Sequence, residues 1–465
     1  MPTLPDCQPC SPVQKRRAMT ETTLPPLPTL PPAKRLGGAM SAAMVVGTMI
    51  GSGIYLLPTT LAPFGPNLVA AFAITIAGTM CLAIAFARLA ARLPGGPFVY
   101  VRTAFGDTAA FVTMWSYIIS QWTGVAAVAV AVAGAIGFVV PAAGSGIGLT
   151  IVALGTIATL SLVNLTGARS AGWVQLGATL IKIIPLLAVV LLVAIRFGTG
   201  QPVEPLAPVP ITLAGIAAAA ALMLFSLTGF ESACVVANVT ENSTTNVPRA
   251  TIYGTGFTGL IYLAATVAAL LLLPSAIAAN SSAPFANAIA PILGNGAGAI
   301  VAIIAAISAF GTCNALLLLS AEVGRSLAAA GDLPPLFRRT NAAGAPTGSI
   351  LVGAGVATLL VLASSTDSFV QVYVFIALVS TVAALVLYAM CAAAALKMKI
   401  MGGWTLVALL GLLYSLAMFA GAGLEATLWG LGLALIGLPI RFLSRRFNSP
   451  ATTPEQAPAP TAPQE

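Results

Sequence analysis

The chain has 465 residues, of which 58% are hydrophobic and only 7% charged. A soluble globular protein carries about 25% charged residues, so this composition excludes a soluble fold. It predicts a chain embedded in the lipid bilayer, built from apolar stretches near the roughly 20 residues that cross hydrocarbon.

In chain order, residues 1–36 hold nine prolines and no apolar core region, which reads as a disordered, basic, Pro-rich tail without a cleavable leader. Twelve apolar spans follow, at about 37–63, 67–91, 108–138, 147–166, 172–196, 211–236, 250–273, 288–324, 348–364, 369–395, 404–421 and 425–442. They form one integral domain over 37–444, followed by a second disordered tail over 445–465. The net charge of +8 invites a nucleic-acid reading, but its distribution argues against one. With the N-terminus in the cytoplasm, 18 of the 20 Lys and Arg fall on the cytoplasmic side, from Lys15 in the first tail to Arg446 in the last. Arg196 lies opposite and Lys182 lies within a span. The charge therefore reports the positive-inside rule, with both termini cytoplasmic and a cytoplasmic (inner) membrane location.

Span 1 contains Gly47-Thr48-Met49-Ile50-Gly51-Ser52-Gly53-Ile54-Tyr55. Each glycine in a helix interior costs about 1 kcal/mol relative to alanine. Unwound backbone at membrane depth persists only beside a cavity or ligand, and a broken helix is how many carriers build a substrate site. The bland alternative is close helix packing of the small-xxx-small kind. Span 6 carries a matching anomaly, Phe225-Ser226-Leu227-Thr228-Gly229-Phe230-Glu231-Ser232. If spans 1–5 and 6–10 are two inverted repeats, both breaks meet at the repeat interface and spans 11 and 12 are peripheral.

Between spans 2 and 3, Pro94-Gly95-Gly96-Pro97 interrupts any continuous helix, and the apolar Phe98-Val99-Tyr100 suggests a loop dipping back toward the membrane. Gly144-Ser145-Gly146-Ile147-Gly148 lacks the context of a phosphate loop and reads as a turn. The six cysteines are scattered and the chain has no histidine. The lone Cys7-Gln8-Pro9-Cys10 is therefore a poor zinc site, and no metal or other cofactor is expected.

Two ionisable side chains lie deep in apolar spans, Lys182 in span 5 and Glu231 in span 6. A charge at a helix centre costs about 2.5–3.5 kcal/mol on insertion scales, so both are functional candidates. Snorkelling toward an interface is the alternative for Lys182, though it stands fourteen residues from Arg196. Glu231 would sit at the start of the second half of helix 6, where a carboxylate is stabilised by the helix dipole; capping and a transport role are both open. Without histidine, proton coupling falls to Lys182, Glu231 or the substrate itself. Glu322 beside Arg325 reads as a surface ion pair.

The breaks also predict a ligand. Amides near Gly51, Ser52 and Gly53 at a helix start suit an anion, and carbonyls freed before Gly229 suit a cation. A zwitterion fits between them.

With those residues in view, the chain resembles the amino acid–polyamine–organocation superfamily over roughly residues 36–400. Met49–Pro58 resembles its helix-1 signature, Pro94-Gly95-Gly96 with Tyr100 its first cytoplasmic loop, and Gly229-Phe230-Glu231-Ser232 its helix-6 motif. Asn246–Ala250 and Ala330–Phe337 resemble the loops after helices 6 and 8. The resemblance is to the basic amino-acid/polyamine antiporter group, of arginine/agmatine type. It implies an all-α membrane protein of about 12 transmembrane helices, with a five-helix inverted repeat and helices 1 and 6 broken. It also implies secondary active transport of an amino acid or polyamine, without enzymatic activity, by a chain whose relatives are often homodimers. No dimer signal stands apart from the ordinary apolar surface here. Met49, Gly51, Ser52, Gly53, Phe225, Thr228 and Gly229 would then contact substrate, with Phe225 as an aromatic lid. Tyr100 and Glu231 would gate the cytoplasmic side.

Departures from the antiporter pattern bear on specificity. Phe225 and Leu316 stand where tryptophans are expected, and Met114 where a polar residue is, which weakens guanidinium recognition because cation–π attraction is best over Trp. Lys182 instead resembles the helix-5 lysine of proton-coupled members. The reading that follows is a proton-coupled amino-acid permease, with electrogenic amino-acid/polyamine exchange as the alternative and a non-transporting sensor as a third. A channel would want charged rings or carbonyl filters, and none is read.

Overall fold

The computed structural model describes residues 37–447 apart from 94, 167–171, 236–239, 343 and 364–367, and the side chains of 172–179. Both expected tails lie outside the described residues, except that 445–447 continue the last helix. The described residues form seventeen α-helices. Ten helical segments among them are long and apolar enough to cross a membrane. The helices read as spans 6 and 9 are shorter, Leu213–Leu227 and Thr347–Ala363. The chain is thus an all-α, multi-pass membrane protein.

Span 1 is two helices, α1 (Gly38–Met49) and α2 (Ser52–Leu61). The backbone leaves the helical conformation at Ile50 and Gly51, whose ψ angles are 85° and −146°. After α3 (Asn67–Arg92), the Gly-Gly segment leads into the short α4 (Pro97–Phe105), so Phe98-Val99-Tyr100 is helical. The long α5 (Asp107–Val139), α6 (Gly146–Leu165) and α7 (Gly172–Gly198) complete the first half.

The second half repeats that order. Span 6 is α8 (Leu213–Leu227) followed by the short α9 (Ser232–Val235). Then come α10 (Ser243–Leu272), the short α11 (Ser275–Ala278) and α12 (Pro284–Leu293), and α13 (Asn295–Ala329), α14 (Thr347–Ala363) and α15 (Phe369–Lys397). The lengths match pairwise: α5 and α13 have 33 and 35 residues, α7 and α15 have 27 and 29. Five crossings per half are odd, so the second copy enters the membrane from the opposite face. That inversion brings the two breaks together.

Span 8 begins later than the apolar run suggests. Residues 288–293 belong to α12, and Gly294, at a φ of +91° that an L side chain rarely adopts, turns the chain into α13. The central α5 packs most extensively against α13 and α15, and α10 against α3 and α1. The last two helices, α16 (Thr405–Gly421) and α17 (Leu424–Phe447), are peripheral: 28% of the apolar window of each is buried, against 78% for α5. Glu322 and Arg325 do form a half-exposed ion pair at 2.8 Å.

Candidate functional site

Unwound backbone in an apolar interior needs partners for every peptide group, and the break in span 1 finds them on three helices. Lys182 Nζ on α7 donates to the Gly47 carbonyl at 3.2 Å. The Tyr262 hydroxyl on α10 donates to the Met49 carbonyl, and Ser308 on α13 reaches the Ile50 carbonyl at 3.4 Å. The Tyr55 hydroxyl on α2 in turn donates to the carbonyl of Lys182 at 2.6 Å. Lys182 therefore ties α7 to both halves of span 1, through its ammonium to the first and its carbonyl to the second. Its side chain is buried, stands close to Gly311 of α13, and does not line the cavity described below.

Span 6 breaks at Gly229, whose φ of +107° explains the glycine. The Glu231 carboxylate bridges this break, accepting from the Gly229 N–H at 3.1 Å and from the Tyr388 hydroxyl on α15 at 3.1 Å. Thr48 of α1 ties the two breaks together, bonding the Gly229 carbonyl at 3.1 Å and the Ser232 hydroxyl at 3.0 Å. Thr228 folds its hydroxyl back on the Phe225 carbonyl at 2.7 Å, covering one of the carbonyls expected to face a cation.

A cavity lies where the breaks meet. Met49, Gly51, Ser52, Gly53, Phe225, Thr228, Gly229 and Glu231 all line it. Phe225 is held edge-on against Tyr373, with ring centres 6.0 Å apart. Leu316 is on the wall, whereas Met114 is buried elsewhere. Tyr100 is fully buried on α4 and lies off the lining. Tyr117 of α5 lines it instead, together with Glu231.

Several lining residues were not singled out by sequence reasoning: Tyr117, Ser120, Gln121 and Gly124 on α5, Thr312 on α13 and Ser380 on α15. The signal was present on α5, since positions 117, 120, 121 and 124 recur at helical spacing along one face of a predominantly apolar helix. Gln121 is buried, and its side-chain oxygen has no hydrogen-bond partner among the described residues. A buried polar atom left so is costly, which suits a wall that meets a polar ligand. A second cavity, lined by Ser52, Tyr55, Ser282 and Phe285 among others, lies between α2, α5, α12 and α13. Ser52 lines both.

Comparisons with known proteins bear on this arrangement. Residues 36–420 match the family model described as amino acid permease. The cadaverine/lysine antiporter of Escherichia coli K12 is 30% identical over 71% of this chain and 75% of its own length. The putrescine transporters PotE of Escherichia coli K12 and Haemophilus influenzae are 29% and 28% identical, each over 90% of this chain and 98% of their own.

Proposed function

This chain belongs to the amino acid permease family and is an amino-acid transporter, not an enzyme; from that premise we propose that its substrate binds between the broken spans 1 and 6 and that Lys182 couples transport to protons. The observation that carries the reading is the meeting of both breaks at one polar-lined cavity. The substrate is an α-amino acid or a polyamine. A carboxylate is placed at the start of α2, where helix-terminal amides favour an anion. An ammonium is placed toward the end of α8 and Glu231, the one carboxylate among the residues lining the cavity. Hydroxyls of Tyr117, Ser120, Thr312 and Ser380 with the Gln121 amide surround the remainder.

The charge distribution supports cytoplasmic termini in an inner membrane. Span 6 then leads from the outer face through α8 to the cytoplasm beyond α9, so the Tyr117–Glu231–Tyr388 group closes the cavity on the cytoplasmic side. Tyr100 lies on the same side as a deeper layer. The second cavity, beyond Ser52, is the outward route.

Phe225 on the cavity wall acts as the lid. Phe225→Ala raises the apparent dissociation constant for every transported substrate about tenfold, equivalent to ~1.4 kcal/mol, as read by scintillation proximity binding. Unchanged binding removes Phe225 from the site.

The function is tested with purified protein in liposomes, following uptake of a labelled amino-acid mixture with and without an inside-alkaline gradient. Gradient-driven uptake into empty liposomes supports proton symport. The named antiporters among the relatives favour exchange as a second reading, and uptake confined to liposomes preloaded with lysine or a diamine would select it. Binding without flux in either setting points to a sensor.

A further inference from the structure

The C-terminal end of α17 carries a charge cluster that transport does not use. Arg441, Ser444 and Arg445 stand at i, i+3 and i+4 and share one helix face. Asp332, in the loop after α13, accepts from Nε of both arginines through the same oxygen, each at 2.8 Å. Asp332 is held there by its own N–H, which donates to the Leu327 carbonyl at 2.9 Å. The Asp332 and Arg441 side chains are 4% and 6% exposed, while Arg445 is 52% exposed. The Arg441 guanidinium also lies 5.1 Å from the centre of the Phe111 ring.

The cluster therefore sets two guanidinium groups, that of Arg441 buried and that of Arg445 half-exposed, against one buried carboxylate, where unbalanced charge is unfavourable. The helix C-terminus supplies partial negative charge of about half a unit, but it leaves two hydrogen-bond donors unmet. Arg441 Nη2 and Ser444 Oγ are both buried without a partner among the described residues. The neighbouring side chains Phe442, Leu443 and Phe447 are exposed on the molecule, an apolar surface suited to lipid tails. An excess positive charge with unmet donors thus lies beside an exposed apolar surface at the end of a helix. Basic pockets of this kind at the end of membrane helices suit phosphate headgroups.

We propose that the phosphate of an anionic phospholipid docks on the Arg441–Ser444–Arg445 face of α17, competing with Asp332 for the two guanidinium groups. The bound lipid would fasten peripheral α17 to α5 and to the loop after α13. The site is independent of the transport reading, because lipid retention is measured without flux.

The test is native mass spectrometry of the full-length, delipidated protein titrated with phosphatidylglycerol, phosphatidylcholine or inorganic phosphate. The expected result is one phosphatidylglycerol retained in preference to phosphatidylcholine. Arg445→Gln, at a half-exposed position, lowers that retention about fivefold, the factor for one basic residue at an anionic surface. Asp332→Asn raises it, because the carboxylate no longer occupies the arginines. Equal retention of the two lipids, or a Arg445→Gln protein that retains phosphatidylglycerol as the parent does, overturns the proposal. So does a folded Asp332→Asn protein with weakened retention, which would make the cluster a structural ion triad. Displacement of the lipid by millimolar phosphate would assign the site to a soluble anion and overturn the lipid assignment. Should Asp332→Asn fail to fold, the Arg445→Gln comparison decides.

Discussion

Lys182→Ala is expected to reduce proton-driven accumulation to simple equilibration while leaving substrate binding intact. The side chain lies off the cavity wall, so its removal takes nothing directly from the substrate. What it removes is the bond from α7 to the Gly47 carbonyl, at the end of α1 just before the break. A hydrogen bond from a charged donor is roughly twice as strong as a neutral one, so loss of the proton loosens α1, while the bond from Tyr55 to the Lys182 carbonyl still holds α2. Under the proposed coupling, protonation strengthens the tie between α7 and the first half of span 1. Removing a charge from mid-helix also relieves about 2.5–3.5 kcal/mol of insertion cost, so the variant should assemble, and a loss of uptake is not a loss of fold. Lys182→Met, which keeps the apolar stem, should behave as Lys182→Ala does. The check is uptake into empty liposomes under an inside-alkaline gradient, paired with equilibrium binding. Unaltered gradient-driven accumulation in either variant would remove Lys182 from coupling.

The second large effect is expected at Gly53. A methyl group there would lie 2.6 Å from the Ser226 hydroxyl and 2.7 Å from the Ser226 Cα. The hydroxyl could rotate away, but the Cα belongs to the backbone of α8 and cannot. Gly53→Ala must therefore push the second half of span 1 from the first half of span 6, across the gap in which substrate is proposed to sit. Overpacking of this kind costs typically 1–3 kcal/mol, so substrate affinity should fall by between about fivefold and a hundredfold. Gly355→Ala is the matched control, since nothing lies within 4 Å of the added methyl on α14. Binding measured on both variants distinguishes a site effect from a general intolerance of added volume. Wild-type affinity in Gly53→Ala would show that the contact between α2 and α8 does not shape the site.

Much of this architecture was legible in the residues, for physical reasons that can be named. Gly51-Ser52-Gly53 and Thr228-Gly229 weaken a helix where water cannot repair it, so the breaks stood out against an apolar background. Lys182 and Glu231 stood out because burying either charge is costly. The start of span 8 was not legible, because α12 is as apolar as a span and the turn at Gly294 depends on a single residue's φ. The polar face of α5 was hidden for a different reason. Tyr117, Ser120 and Gln121 are interleaved with Ile118, Ile119 and Trp122 and with the further polar residues Ser116 and Thr123, and only the helix's central position, 78% buried over its apolar window, reveals which face meets a cavity. Tyr100 and Tyr117 illustrate the same limit. Both are aromatic hydroxyls near the start of span 3, and only the packing of α4 beneath the bundle separates the one off the cavity from the one on it.

The measurement that tests the central claim most directly is substrate protection of a single thiol at Thr312, on the cavity wall beside Gly51. With the native cysteines replaced, Thr312→Cys protein in liposomes is treated with a membrane-impermeant thiol reagent added to one side at a time. A carrier that binds substrate between the broken spans predicts labelling from either side, and protection on both sides by the same transported amino acid. Labelling from one side alone, or labelling indifferent to every transported substrate, would contradict alternating access at this cavity.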